Sequence, residues 1–210
     1  MATLWTFGDS MTAGYTLGSG WADKYIEWKG YTPKIYPEII SDKLGMDLKN
    51  LAKGGYDNYS IFETLCVNVD KIEQDDILIF GWSSLSRIRL ATKYDTWQSF
   101  VPNYQNNMLE MENLSLNTLE EIYVNRTSVL YKNEVNNWIK LINHLLKNIT
   151  IHWTYFIEDA DCILLDKFQR VSTETNKLIN DQHYSEKGQF DLSNYLINEI
   201  VKKSKKTSII

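Results

Sequence analysis

Ser10, in a Gly-Asp-Ser motif near the start of the chain, is the residue whose context best suits nucleophilic chemistry. A serine hydroxyl is a weak nucleophile at neutral pH. It needs a base within hydrogen-bond reach, and a third group must orient that base. The chain has three histidines: His144 falls in a predicted helix, His152 in a predicted strand, and His183 in a polar turn. His183 is therefore the best candidate for the base.

Asp181, two residues before His183, is the candidate for the orienting group. In an extended or turn segment, residues i and i+2 can point the same way. The carboxylate would then accept from one imidazole nitrogen and leave the other to face Ser10. The same aspartate could instead serve only as a turn or helix-capping residue. The spacing alone favours neither interpretation.

The elements that must position these residues follow from short apolar segments that alternate with helical periodicity. We predict strands over 2–7, 47–52, 76–80, 148–156 and 162–165, and helices over 33–44, 58–72 and 186–203. This alternation is typical of a three-layer α/β/α fold with a mainly parallel sheet. Ligands of such sheets bind beyond the carboxyl ends of the strands. The polar segments after the first three strands, with the one before the last helix, should meet there.

The chain is predicted to be a single domain, 1–210, with a mainly helical excursion at about 85–147. Helical spacing of apolar residues over 129–145 predicts a long helix in the second half of that excursion. The first part, 92–119, is rich in Asn, Gln and aromatic residues. It would be a lid, an oligomer contact or a further helical excursion, because it is too long for a simple crossover.

Composition limits the classes of function. A net charge of −5, with one basic cluster at 202–206 that is expected to be a solvated tail, argues against a nucleic-acid partner. No apolar stretch approaches the ~20 residues of a membrane span, and no secretion signal is visible, so a cytoplasmic or virion-associated location is expected. Cys66 and Cys162, in apolar contexts, are expected to be buried free thiols, and no metal-ligand spacing is present.

Four segments, in this order, resemble the signature blocks of the SGNH/GDSL hydrolase family. They are Gly8-Asp9-Ser10, Asn50 to Gly55, Gly81 to Ser84, and Asp181-x-His183 followed by Ser185 and Gly188. The resemblance implies a flavodoxin-like sheet. It also implies that Ser10 is the nucleophile and a backbone oxyanion donor, that Gly55 (a better match than Gly54) is a second backbone donor, and that Asp181 and His183 are acid and base.

The sequence departs from the family pattern at two points. Ser83 stands where the family has an asparagine that donates to the oxyanion, and a hydroxyl reaches less far than a carboxamide. Either Ser83 or its neighbour Ser84 replaces that donor, or Arg87 supplies charge at the rim, or catalysis is weaker. The family also more often spaces its acid at the position of Asn180. Asp181 is our choice, with a Ser–His dyad oriented by a backbone carbonyl as the alternative.

The resemblance implies a serine esterase that uses no metal or organic cofactor. Seven Trp and thirteen Tyr would suit stacking on sugar rings, which favours a small-acyl (O-acetyl) carbohydrate ester as substrate. The tryptophans could equally be core residues (Trp21, Trp28, Trp82, Trp97 and Trp153). Because of the altered third block, the alternative is a catalytically weakened binding or structural protein, for example virion-associated. Its homo-oligomer or assembly contact would lie in 92–147.

Overall fold

The computed structural model describes residues 2–15, 17–18, 20–91, 97–100 and 128–207. In chain order the strands are β1 (Thr3–Gly8), β2 (Asp47–Asn50), β3 (Ile77–Trp82), β4 (Ile88–Ala91), β5 (Trp97–Phe100), β6 (Ile149–Thr154) and β7 (Ile163–Leu164). The helices are α1 (Ser10–Ala13), α2 (Trp21–Lys29), α3 (Tyr36–Leu44), α4 (Asn58–Asn68), α5 (Ser128–Leu145), α6 (Val171–Glu174) and α7 (Glu186–Thr207), with a 3₁₀ turn at Val69–Lys71.

The central sheet has the order β2-β1-β3-β6-β7, and all its strands are parallel. Successive side chains of a strand point to opposite faces of the sheet. Ile77 and Ile79 of β3 therefore pack towards α3 and α7, while Leu78 and Phe80 pack towards α4 and α5. Both faces are covered, which is why this strand is apolar at every position. The result is a three-layer α/β/α sandwich.

The strand order matches that of flavodoxin-like sheets, which confirms the predicted fold class. In this order, β2 lies on one side of β1 and β3 lies on the other, so the direction of strand addition reverses between β1 and β3. Ligands bind at such a switch point, outside the carboxyl ends of the strands. Ser10 lies two residues after the end of β1, and Ser83 directly follows β3. The topology therefore brings these two predicted residues to the same edge of the sheet.

The predicted strands and helices of the sandwich are present, with ends that differ by a few residues. The structure also contains elements that were not predicted from the sequence: α1, α2, α6, and the antiparallel pair β4–β5. Within the proposed excursion at 85–147, the described part contains that pair and the predicted long helix, α5. Residues 92–96 and 101–127 lie outside the described residues, and with them most of the predicted assembly contact.

The prediction for one cysteine was wrong. Both thiols are free, but Cys66 is exposed and Cys162 is half-buried. Leu65, the neighbour of Cys66 on α4, is buried, and the next position of a helix turns about 100° away from it. An apolar neighbour in the sequence therefore does not determine which way a helical side chain faces.

No helix within the described ranges has the length and apolarity needed to cross a membrane.

Candidate active site

Ser10 occupies the first position of the short helix α1, at the end of the buried strand β1. Asp9 is the N-cap residue, and its Oδ1 accepts a hydrogen bond from the backbone N–H of Met11 at 2.9 Å. The turn is tight because Gly8 and Gly81 leave room for it. A Cβ atom built on either glycine would lie 2.3–2.4 Å from Thr12 Oγ1. Glycine at both strand ends thus lets α1 fold back closely onto the sheet edge.

The predicted base and acid lie next to Ser10. His183 Nε2 is 2.8 Å from Ser10 Oγ, and His183 Nδ1 is 2.7 Å from Asp181 Oδ1. The backbone N–H of His183 donates to the same Asp181 oxygen at 2.7 Å. Burial opposes ionisation of Asp181, but these hydrogen bonds and the charge of the imidazolium outweigh it and lower the pKa of the carboxyl. The three side chains form one continuous hydrogen-bonded chain.

The segment that carries the acid and base is held by backbone pairing. The N–H of Val171 donates to His183 O at 2.9 Å, and the N–H of Ser172 donates to Asp181 O at 3.0 Å. Ser185 caps the first turn of α7, where its Oγ accepts from the N–H of Gly188 at 3.2 Å. Two neighbouring elements therefore fix the height of His183 above the sheet edge.

The glycine pair of the second block forms a turn beside Ser10. The β1–β2 pairing continues beyond β2, with Lys53 N–H donating to Gly8 O at 3.1 Å. Tyr56 N–H then closes the turn onto Lys53 O at 3.2 Å. Gly55 takes the third position with φ +87°, which suits glycine. A Cβ atom built on Gly54 would lie 3.9 Å from Ser10 Cβ, so Gly54 borders the nucleophile, whereas a Cβ atom built on Gly55 would face open space.

Ser83 is fully buried and belongs to a polar cluster behind the nucleophile. Its Oγ donates to Asp9 Oδ2 at 2.7 Å, so its single proton points at Asp9. Its backbone is fixed on both sides by Asn58, which accepts from Ser83 N–H at 2.6 Å and donates to Ser83 O at 3.0 Å. Arg87 Nη1 lies 3.4 Å from Asp9 Oδ2 and donates to Tyr56 O at 3.0 Å. Arg87 therefore places a positive charge beside Asp9.

The other sequence candidates are buried in the core, are exposed, or bond to other residues. His152 is buried in the sheet core, where its Nδ1 accepts from Trp82 Nε1 at 3.3 Å, and burial lowers its pKa to about 3. His144 and Asn180 are exposed. Ser84 bonds to the Ser86 hydroxyl at 2.7 Å. Among the described residues, no group of three or more His, Cys, Asp and Glu side chains is arranged to hold a metal ion.

The contact of Trp21 with the candidate site was not predicted from the sequence. Its indole stacks on the His183 imidazole with ring centroids 4.1 Å apart and an angle of 7° between the planes. Trp82 and Trp153, which could have offered faces to a sugar, are core residues with 1% exposure. The sequence carried a signal for the helix, because Gly20 and Gly30 bracket a helix-length segment that begins at Trp21, but it carried none for the contact with His183.

Comparison with known proteins identifies one family and several similar solved structures, two of which are described below. Residues 4–196 match the family model described as GDSL-like lipase/acylhydrolase. A structure assigned to the G-D-S-L lipolytic family, from Desulfitobacterium hafniense DCB-2, is 8% identical, with a TM-score of 0.49 and coverage of 95% of this chain and 99% of that one. The psychrotrophic esterase EstA from Pseudoalteromonas sp., solved with monoethylphosphonate as inhibitor, is 12% identical, with a TM-score of 0.49 and coverage of 98% and 100%. No curated protein matches the chain.

Proposed function

Because the chain belongs to the family of GDSL-like lipases and acylhydrolases and is an esterase, we propose that it cleaves carboxylic esters through an acyl-enzyme formed on Ser10. The observation that supports this mechanism is the continuous hydrogen-bonded chain from Ser10 Oγ through His183 to Asp181 Oδ1. Both distances lie within the 2.6–3.2 Å range expected of a nucleophile, its base and the group that orients the base.

In the proposed reaction, Ser10 Oγ attacks the ester carbonyl while His183 Nε2 accepts the hydroxyl proton. Asp181 stabilises the imidazolium through Nδ1 and keeps the ring in the tautomer that leaves Nε2 free to accept. The imidazolium then gives the proton to the leaving alkoxide, and the alcohol departs. His183 next removes a proton from water as the water oxygen attacks the acyl-Ser10 ester. The imidazolium then returns that proton to Ser10 Oγ as the bond from Oγ to the acyl carbon breaks, which releases the carboxylic acid and restores the Ser10 hydroxyl and the neutral imidazole.

The backbone N–H groups of Ser10 and Gly55 are the proposed oxyanion donors. The first N–H groups of a helix lack an intrahelical acceptor, which suits Ser10 for this role. Ser83 is the proposed third donor: its hydroxyl can rotate its proton from Asp9 to the oxyanion as negative charge develops there. Arg87 would then compensate the charge that Ser83 leaves unbonded on Asp9.

A recess along the segment that carries Asp181 supports a carbohydrate ester as substrate. It has a volume of about 430 Å³ and adjoins Asp181 through its two sequence neighbours. Its lining residues all carry a hydroxyl, amide or ammonium group (Ser172, Thr173, Asn176, Lys177, Asn180 and Gln182). Such groups bind sugar hydroxyls well and alkyl chains poorly. We therefore propose a small acyl group, acetyl above all, on a carbohydrate alcohol.

The mechanism is tested with Ser10→Ala and a fluorophosphonate probe. We expect the wild type to hydrolyse p-nitrophenyl acetate and to carry the probe on Ser10, as located by mass spectrometry. Ser10→Ala should lose at least about 10⁴-fold in kcat/KM and all labelling. Ser41→Ala is the matched control, since Ser41 bonds to Met46 O at the opposite edge of the sheet and should keep full activity. Equal activity of the wild type and Ser10→Ala would refute the proposal.

The acyl and alcohol preferences need separate substrates. A series of p-nitrophenyl esters from acetate to octanoate should show the highest kcat/KM for acetate. Release of acetic acid from O-acetylated xylan should then exceed release from a simple alkyl acetate at the same ester concentration. A preference for octanoate would contradict the small-acyl proposal and leave the Ser10 mechanism intact.

A further inference from the structure

Trp21 covers one face of the His183 ring. The imidazole nitrogens bond to Ser10 and Asp181, and both bonds lie in the plane of the ring. They leave the two faces of the ring open. The indole of Trp21 lies nearly parallel to one of these faces at 4.1 Å. Movement of the imidazole within its plane is thus restrained by Ser10 and Asp181, and movement out of that plane is restrained by Trp21.

We propose that Trp21 is a positioning residue for the base, and that α2 is the element that holds base and acid in place. This inference rests on the proposed esterase mechanism. In it, Trp21 acts through His183 and has no direct contact with the reacting atoms. A wall for substrate and a purely structural core residue are the competing roles, and each predicts a different kinetic result.

The face of α2 that carries Trp21 is anchored to both ends of the segment 175–185. Trp21, Tyr25 and Lys29 are spaced at i, i+4 and i+8, so they share one face over about 12 Å of helix. Lys29 Nζ lies 3.0 Å from Glu174 Oε1 and 2.7 Å from Glu186 Oε2. The Tyr25 hydroxyl donates to Glu174 and accepts from Glu186 N–H at 2.9 Å.

These contacts join the two places where the segment leaves and rejoins helical structure. Glu174 ends α6 and Glu186 begins α7, and the acid and base lie between them. Burial favours the neutral form of Lys29, but its bonds to Glu186 and Glu174 outweigh burial and raise its pKa. The lysine therefore stays charged at neutral pH. One side of α2 thus fixes both ends of the segment. Through Trp21, the same side of α2 also fixes the side chain of His183.

Two physical effects follow from the stack. It restricts rotation of the imidazole out of the plane that contains Ser10 Oγ and Asp181 Oδ1. It also places the electron-rich face of an indole against a ring that becomes a cation when it takes the serine proton. A contact of this kind contributes a factor of about 3–30 to the rate if it acts mainly in the transition state.

The experiment compares Trp21→Leu, Trp21→Met and Trp21→Phe with the matched control Trp28→Leu. Trp28 lies on the same helix, stacks on Tyr25 at 5.9 Å and is 45% exposed. Circular dichroism and thermal unfolding identify the variants that are folded at the assay temperature. Two non-aromatic replacements, Leu and Met, are used so that the test can still be made if one of them does not fold. Each folded variant is assayed for kcat and KM with p-nitrophenyl acetate and for its rate of fluorophosphonate labelling.

We expect the Leu and Met variants to lose about tenfold in kcat and in labelling rate, with KM within about twofold of wild type. Trp21→Phe should recover most of the loss, and Trp28→Leu should match the wild type. The inference is overturned if KM rises while kcat stays, which would make Trp21 a substrate wall. It is also overturned if Trp21→Leu behaves like Trp28→Leu, or if activity falls only in step with the unfolding temperature and Phe gives no recovery. If the Ser10→Ala variant is active, the proposed mechanism itself has failed, and this result is distinct from failure of the inference about Trp21.

Discussion

The two histidines that lie against aromatic rings show how differently one fold uses the same side chain. His183 is bonded to a hydroxyl and a carboxylate, is stacked on Trp21, and keeps 20% of its side chain exposed. His152 is bonded to an indole N–H and to the amide oxygen of Asn143, is stacked on Phe80, and is buried. Aromatic stacking is common to both, so stacking alone does not make a base.

The partners of the two rings make the difference. Burial without a carboxylate disfavours the imidazolium, and it lowers the pKa of His152 to about 3. Such a ring accepts hydrogen bonds but is too weak a base to take a proton from serine. At His183, a carboxylate stands ready to stabilise the imidazolium that proton transfer creates. The charge of the partner, rather than aromatic packing, therefore separates the proposed catalytic imidazole of His183 from the structural imidazole of His152.

Removal of each ring in turn should give the largest contrast. His183→Ala removes the base, so we expect a loss of about 10⁴-fold in kcat/KM for p-nitrophenyl acetate. His152→Asn keeps an amide oxygen that can accept from Trp82, and it should stay within about threefold of wild type. Comparable activity losses in the two folded variants would end the distinction between the histidines.

A second test makes the partner of His183 resemble that of His152. Asp181→Asn replaces the carboxylate by the kind of group that Asn143 offers to His152. The amide cannot stabilise the imidazolium by charge, and it can favour the wrong tautomer, so kcat should fall by about 10³-fold with little change in KM. A loss below about threefold would favour the alternative in which a backbone carbonyl orients a Ser–His dyad.

The third and smallest effect concerns stability and pH. In the folded protein the pKa of His152 is about 3, whereas its ordinary value is about 6.5. Between these two pH values the unfolded chain binds a proton that the folded protein does not. This histidine should therefore lower the free energy of unfolding as pH falls, on the order of 2 kcal/mol between pH 7 and pH 5. Urea unfolding at several pH values would measure it. His152→Asn should show a shallower dependence on pH, and an identical dependence would contradict the assignment.

The sequence predicted the sandwich well because its strands carry their own signals. The apolar run Ile77–Phe80 and the glycines at the ends of β1 and β3 mark buried strands and their exits without reference to the rest of the chain. The proposed triad was found for a related reason. Ser10, Asp181 and His183 each lie in a short polar segment at a strand or helix boundary, and topology brings such boundaries together.

Features that depend on which side chains face one another were not predictable in the same way. No local pattern reports that Trp21 meets a ring 162 positions later in the chain. Nor does any pattern indicate that the Ser83 hydroxyl would donate to Asp9, because that bond joins the exits of two strands. The exposure of Cys66 depended on the rotation of α4 against the sheet. Each of these facts follows from packing between elements rather than from periodicity within one.

The double ion pair of Lys29 has a further consequence for how the protein opens. By joining Glu174 to Glu186, it closes a loop around the acid and base, and loop closure removes conformational freedom that a single bond at either end would leave. Partial opening of one end then gains little entropy while the other stays tied. Amide hydrogen exchange across 175–185 should accordingly occur in a single cooperative event, and added salt should accelerate the whole segment together.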